Sequence, residues 1–275
     1  VFSAPPMDYV LETTKLLNSP KGVLHIINNY TGDRMAFDMG REMAEAEGVR
    51  IGTVIVDDDV AVKDSTYTVG RRGVAGNFFV IKALGAASEQ GAELDDLVAL
   101  GERVNSVART MGMALTSCTP PAKGSPLFDL GDDEMEMGVG IHGEPGRRRE
   151  KLASSNAIVD ELLEAVVSDL PFKKGDNVAL MINGLGGTPI SELYLIYGYA
   201  HEQLASRGIN VARNACVAHS TGELICFLDD DVEVWPGWLS ALLAAPAHEA
   251  LGGPIRPRIE GNSLHACGRE PLPVT

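Results

Sequence analysis

The chain has 275 residues, 45% of them hydrophobic and 5% aromatic, an ordinary globular composition with room for one large or two modest domains. Its 38 acidic residues against 23 basic ones give a formal charge of −15, which repels phosphate backbones and anionic membrane surfaces and argues against nucleic acid as a partner. Four cysteines without CxxC spacing favour neither a zinc site nor a disulfide framework, and no apolar run of about eighteen residues or leader-like pattern stands out, so a reducing cytoplasm fits best.

The chain opens on Val1 and passes almost at once into a helix-like stretch, so we expect sequence upstream of it. Val23-Leu24-His25-Ile26-Ile27 is a short apolar run that stops at the turn-rich segment Asn28 to Asp33, after which Met35, Met39 and Met43 recur at helical spacing. This reads as strand, loop, helix. The pattern returns at Ile51 to Val56, which runs into Asp57-Asp58-Asp59, and helices are predicted from about Val74 to Gln90 and from Leu94 to Met111. Residues Thr119 to Gly131 are rich in Pro, Gly and Ser, and we place a domain boundary there. Beyond it the sequence predicts a strand over Glu134 to Ile141, an Arg-rich loop at 147–149 and a helix from about Leu152 to Ser168. A strand over Asn177 to Ile182, a tight turn at Asn183 to Gly187 and a helix over Ser191 to Ser206 follow. Alternating strands and amphipathic helices predict an α/β fold of two units, 1–118 and 119–213, with mainly parallel or mixed sheets covered on both faces. Ligands gather at the carboxyl ends of the strands in such folds.

Four features could carry chemistry. His142 lies in Gly138-Val139-Gly140-Ile141-His142-Gly143-Glu144-Pro145-Gly146, where flanking glycines let a ligand approach the backbone and a neutral imidazole can act as base or nucleophile. Spacing alone gives more weight to a loop histidine whose glycines serve only the turn. Asp33 follows a strand and begins a helix, so it can face the cleft as a general base, although an N-cap explains it as well. Asp57 to Asp59 reads as a solvated turn before it reads as a magnesium site. The turn at Asn183-Gly184-Leu185-Gly186-Gly187 sits where phosphate could be cradled, yet it has neither the Walker lysine nor GxGxxG.

Taken together, Asn29-Tyr30-Thr31-Gly32-Asp33, Val56 to Val62, Gly70-Arg71-Arg72-Gly73-Val74-Ala75-Gly76, Glu134 to Gly146 and Asn183 to Pro189 resemble, in order, the triose-binding subunit of the dihydroxyacetone kinases, over about Val1 to Arg213. The resemblance implies that His142 adds through a ring nitrogen to the ketone of the triose, giving a covalent hemiaminal, with Gly140 and Gly143 beside it in the binding site. It implies that Asp33 helps to bind the substrate and to remove the proton of its terminal hydroxyl. It also implies that this chain binds no cofactor directly. ATP-Mg or phosphotransferase-system phosphate is instead delivered by a separate helical nucleotide-binding partner, to dihydroxyacetone or a similar small ketose or aldose, and two copies of the chain pair as a homodimer. The Asp57 to Asp59 run is then scaffold. Family members carry a Gly-rich segment with a second triose-binding His ahead of the stretch that matches Val1, so we expect it upstream.

From residue 214 to 275 the sequence departs from that family. Thr221 to Val234 followed by Pro236-Gly237-Trp238-Leu239 resembles the middle of a nucleotide-sugar glycosyltransferase with a DxD motif, in which Asp229 and Asp231 would hold a divalent metal. Only about sixty residues carry this second resemblance. It implies no sugar transfer by the fragment, and we expect the join near Arg213 to reflect gene assembly rather than a bifunctional enzyme.

Overall fold

A computed structural model describes residues 4–62, 70–121, 123–170 and 172–211. They belong to one compact unit spanning residues 1–220, and Asp229 and Asp231 lie outside the described residues.

Helix α1 (Met7–Leu16) leads into strand β1 (Val23–Asn28), helix α2 (Thr31–Ala46) and strand β2 (Ile51–Val56). The two strands pair in parallel, from Val23 opposite Ile51 to Asn28 opposite Val56. Because successive strand residues point to opposite faces, β1 serves two cores. Val23 packs with Leu11 of α1, Ala44 of α2 and Val49. Leu24 and Ile26 pack instead against Val54, Val56, Val80, Leu84 and Leu97. The last three belong to helices α3 (Gly76–Glu89) and α4 (Leu94–Val107), so helices cover both faces as the α/β pattern requires. Small residues set the approach: a Cβ at Gly40 would meet Val10 of α1, and one at Gly101 would meet Val54 and Leu84.

A second sheet is antiparallel and joins strands β3 (Met113–Ala114), β4 (Glu134–Met137) and β5 (Arg148–Lys151), so the Pro- and Gly-rich segment after residue 118 connects two strands of one sheet. The predicted strand over Glu134 to Ile141 stops at Met137, because Gly138 turns the chain with φ +82°. Of the Arg-rich stretch read as a loop, Arg148 and Arg149 instead begin β5 and only Arg147 stays in the turn. Arg149 stands opposite Glu136 and bonds its carboxylate at 3.3 Å, and such cross-strand charge pairs offset the poor strand propensity of Arg-Arg-Glu-Lys.

Helices α5 (Ser155–Asp169) and α6 (Ile190–Ser206) and the short parallel pair β6 (Asn177–Val178) and β7 (Asn210–Val211) complete the described chain. Ser154 caps α5 by accepting from the Ala157 N–H. Val159, Leu163, Ala200, Leu204, Ile209 and Val211 form a third core. No helix among the described residues is long and apolar enough to cross a membrane.

Candidate functional site

The end of β1 fixes one wall. The Asn29 N–H donates to the carbonyl of Val56, extending the parallel ladder by one bond, and Tyr30 then starts α2 with its ring buried. Tyr30 occupies the N-cap without a side-chain bond, so Asp33 is not the cap that its residue type favours. It stands in the first turn of α2, half-buried. Burial raises its carboxyl above the ordinary value, opposed by the charge of His142 and by its own backbone N–H.

The opposite wall is the loop between β4 and β5. The Gly143 N–H donates to the Gly140 carbonyl at 3.0 Å, closing a four-residue turn with His142 near its corner, and the Gly140 N–H donates to the Glu144 carbonyl at 3.2 Å. The imidazole stands edge-on to the Tyr30 ring, with centroids 4.6 Å apart. Its Nδ1 lies 2.9 Å from Oε1 of Glu144, whose Oε2 accepts the His142 backbone N–H at 3.0 Å. Burial pushes the Glu144 carboxyl up, but the bonds from His142 and the backbone outweigh it and hold the group below the ordinary carboxylate range.

Both glycines beside His142 have work in this turn. A Cβ on Gly140 would strike Oε2 of Glu144 and crowd Arg72, and Gly143 has φ +75°, with Cys118 where a side chain would go. The loop is tied to the first sheet from behind. Arg72 bonds Asp59 through Nε at 2.6 Å and the Gly138 carbonyl through Nη2 at 2.6 Å, and the side chains of Arg72 and Asp59 are each 2% exposed. A buried pair of this kind is satisfied only if the remaining lone pairs also find donors, and the Ala61 N–H supplies one to Asp59.

The structure therefore brings the turn that carries His142 against the start of α2, which carries Tyr30 and Asp33. The acidic run is structural: Asp58 accepts from the N–H groups of Val74 and Gly76 and from the Thr110 hydroxyl, and Asp57 pairs with Asn105. No group of three or more His, Cys, Asp or Glu side chains among the described residues could hold a metal ion. In the Asn183 turn, the N–H of Leu185 bonds its own loop at Asn183, and those of Gly187 and Thr188 bond Gly184, so these donors are not aimed outward at a phosphate. Sequence reasoning singled out His142 and Asp33 and passed over Glu144, Tyr30 and the Asp59–Arg72 pair. A carboxylate two residues after a histidine, across a glycine that admits a reversal, was the available signal for Glu144.

The Dak1 domain model matches residues 1–224, and a glycosyl transferase family 2 model matches residues 200–262. The dihydroxyacetone-binding subunit DhaK of the PTS-dependent dihydroxyacetone kinase 1 of Listeria innocua is 46% identical over 213 residues, covering 78% of this chain and 65% of that protein. Its counterpart from the PEP-dependent kinase of Escherichia coli is 38% identical over 277 residues, covering 90% of this chain and 76% of that protein. Among solved structures, the dihydroxyacetone kinase operon co-activator Dha-DhaQ superposes with a TM-score of 0.70 at 32% identity, over 75% of this chain and 64% of that one. The chain thus spans about two thirds to three quarters of these relatives. With the domain model covering four fifths of its length and relatives 38% and 46% identical over most of it, the chain belongs to the Dak1 domain family.

Proposed function

We propose that this chain is the substrate-binding component of a dihydroxyacetone kinase. The observation that supports this most directly is the packing of the His142 ring against Tyr30, the N-cap of the helix whose first turn carries Asp33. In this reading the imidazole nitrogen not engaged by Glu144, Nε2, attacks the ketone carbon of dihydroxyacetone or of a similar small ketose or aldose. A C–N bond forms, the carbonyl π pair moves to oxygen, and that oxygen takes a proton from water. The triose is then held as a hemiaminal beside Asp33, whose half-buried carboxylate accepts the proton of the terminal hydroxyl as it attacks phosphorus. The phosphoryl group comes from ATP-Mg or from the phosphotransferase system through a helical nucleotide-binding subunit, in the cytoplasm, and this chain binds no nucleotide of its own.

The test uses the whole chain and [2-13C]dihydroxyacetone. Carbon NMR is expected to show a protein-bound tetrahedral carbon that disappears in His142→Ala, whereas a bound ketone in both proteins would refute covalent capture. Adding a family nucleotide-binding subunit and ATP is expected to give triose phosphate. Asp33→Asn should keep the adduct and lose about 10²- to 10⁴-fold in turnover, the usual contribution of a positioned general base.

A second reading, a triose-binding regulator without turnover, is favoured by the similarity to a solved operon co-activator. An adduct with no triose phosphate in the same mixture would select it. Residues 200–262 match a glycosyl transferase family, and Asp229 and Asp231 fall in that span as a DxD pair, in a fragment that we read as inactive in sugar transfer. Calorimetry with UDP- and GDP-sugars and manganese is expected to show no binding, and metal-dependent binding lost in Asp229→Ala would reverse that assignment.

A further inference from the structure

We propose that Glu144 is the positioning residue of the site: it fixes His142 in the tautomer with its proton on Nδ1 and holds the positive charge that forms on the ring when Nε2 adds to a carbonyl. The proposal rests on the covalent reading above and assigns a role to a residue outside that reading.

The geometry leaves little choice of tautomer. One oxygen of Glu144 accepts the backbone N–H of His142 and the other lies 2.9 Å from Nδ1. An ionised carboxylate can only accept, so Nδ1 must carry the hydrogen and the lone pair must reside on Nε2. The side chain has few other places to go. Gly140 leaves the space that Oε2 fills, and the turn that carries His142 is closed by bonds at Gly140, Gly143 and the carbonyl of Glu144. Backbone and ring of the same histidine are therefore gripped by one carboxylate, and the ring also packs edge-on against Tyr30.

The charge follows from the balance of the addition. A neutral imidazole that forms a bond through Nε2 while keeping Nδ1–H becomes a cation, and the ketone oxygen gains the electron pair and takes one proton from water. Glu144 is only 16% exposed and lies against the cation as it forms, where a charged hydrogen bond is worth more than in bulk water. It has little affinity for the free ketone, so its effect is concentrated on the covalent state.

The experiment compares wild type, Glu144→Gln and Glu144→Ala, with Gly140→Ala as a variant that keeps the carboxylate but displaces it. Nitrogen NMR of 15N-histidine-labelled protein, with His142 assigned by His142→Ala, reads the tautomer without any ligand. Wild type is expected to be Nδ1–H, and Glu144→Ala and Gly140→Ala to be mixed. Titration with [2-13C]dihydroxyacetone is expected to show adduct affinity lower by about 10- to 100-fold in Glu144→Gln, the loss of one charged hydrogen bond. An Nε2–H tautomer in wild type, or an unchanged tautomer in folded Glu144→Ala, overturns the proposal whether or not an adduct forms. Absence of the wild-type adduct with the Nδ1–H tautomer intact overturns the covalent reading and the charge-holding role together, and leaves Glu144 only the fixing of the ring.

Discussion

His25 shows what burial does to a histidine that has no chemistry to perform. It sits on β1 facing α1 and α2, edge-on to Phe37, and its Nε2 lies 2.9 Å from the Thr14 hydroxyl. That hydroxyl already donates to the Val10 carbonyl, so Nε2 carries the proton and the lone pair of Nδ1 is buried without a partner. Burial lowers the imidazole pKa, Arg41 lowers it further and Glu45 partly opposes. The unfolded chain takes up a proton near pH 6.5 while the folded ring resists, so the unfolded state binds more protons and stability falls as the pH drops below about 6.5. The slope attributable to one such group is at most about 1.4 kcal/mol per pH unit. Urea unfolding at pH 7.5 and pH 5.5 should therefore show a loss of stability that is smaller in His25→Gln, and equal losses in both proteins would contradict it. His25 and His142 look alike as single letters. What separates them is the glycine context around His142 and the continuous apolar run around His25, and both signals are present in the sequence. Glu144 is different, since the His-Gly-Glu spacing permits its hold on the ring but the grip itself depends on the turn closing back at Gly140.

At the scale of the elements, the pattern of strands and helices was legible wherever apolar periodicity was strong, as in β1, α2, β2 and α3. It failed where contacts distant in sequence decide the outcome. Helix α4 was expected to continue to Met111 but ends at Val107, because Thr110 is drawn into pairing beside β2: its N–H donates to the Asp58 carbonyl and its hydroxyl to the Asp58 carboxylate. The same carboxylate starts α3, accepting the N–H groups of Val74 and Gly76 at 2.8 and 2.7 Å. Asp58 is fully buried, so one side chain ties the end of β2, the start of α3 and the exit from α4. Asp58→Ala would strand two buried backbone donors and leave the part-buried Thr110 hydroxyl without its acceptor. We expect a cost of about 2–4 kcal/mol, as for a buried polar network that loses its acceptor. Hydrogen exchange should locate the damage in the first turn of α3, while α5 keeps its protection. Uniform loss across both helices would mean that Asp58 supports the whole unit rather than this junction.

At the scale of the whole compact unit, the apolar cores are separate and polar contacts join them. The cores around β1 and β2 lie in the first half of the chain, and the core of α5, α6, β6 and β7 lies in the second. Between them run the three-stranded sheet, the Arg72 bond to Gly138, and a triad in which Asp169 at the end of α5 accepts from both Arg71 and Arg109. The candidate site occupies this seam, with Tyr30 and Asp33 on one side and His142 and Glu144 on the other, so its geometry depends on the polar links holding. Asp169 is the most exposed to test. Hydrogen bonds from Arg71, and then from Arg109, draw its carboxyl down to about 2 against the cost of partial burial. A depressed carboxyl contributes stability that is fully present above the unfolded value of 3.8 and is lost as the pH falls toward 2. Asp169→Asn should remove most of it at neutral pH. Because the seam carries the coupling, the variant should also unfold in urea with separate transitions for α1 to α4 and for α5 and α6, followed by hydrogen exchange of each group. A single sharp transition shifted to lower urea would place the coupling in the three-stranded sheet instead, where Glu136 and Arg149 hold β4 to β5.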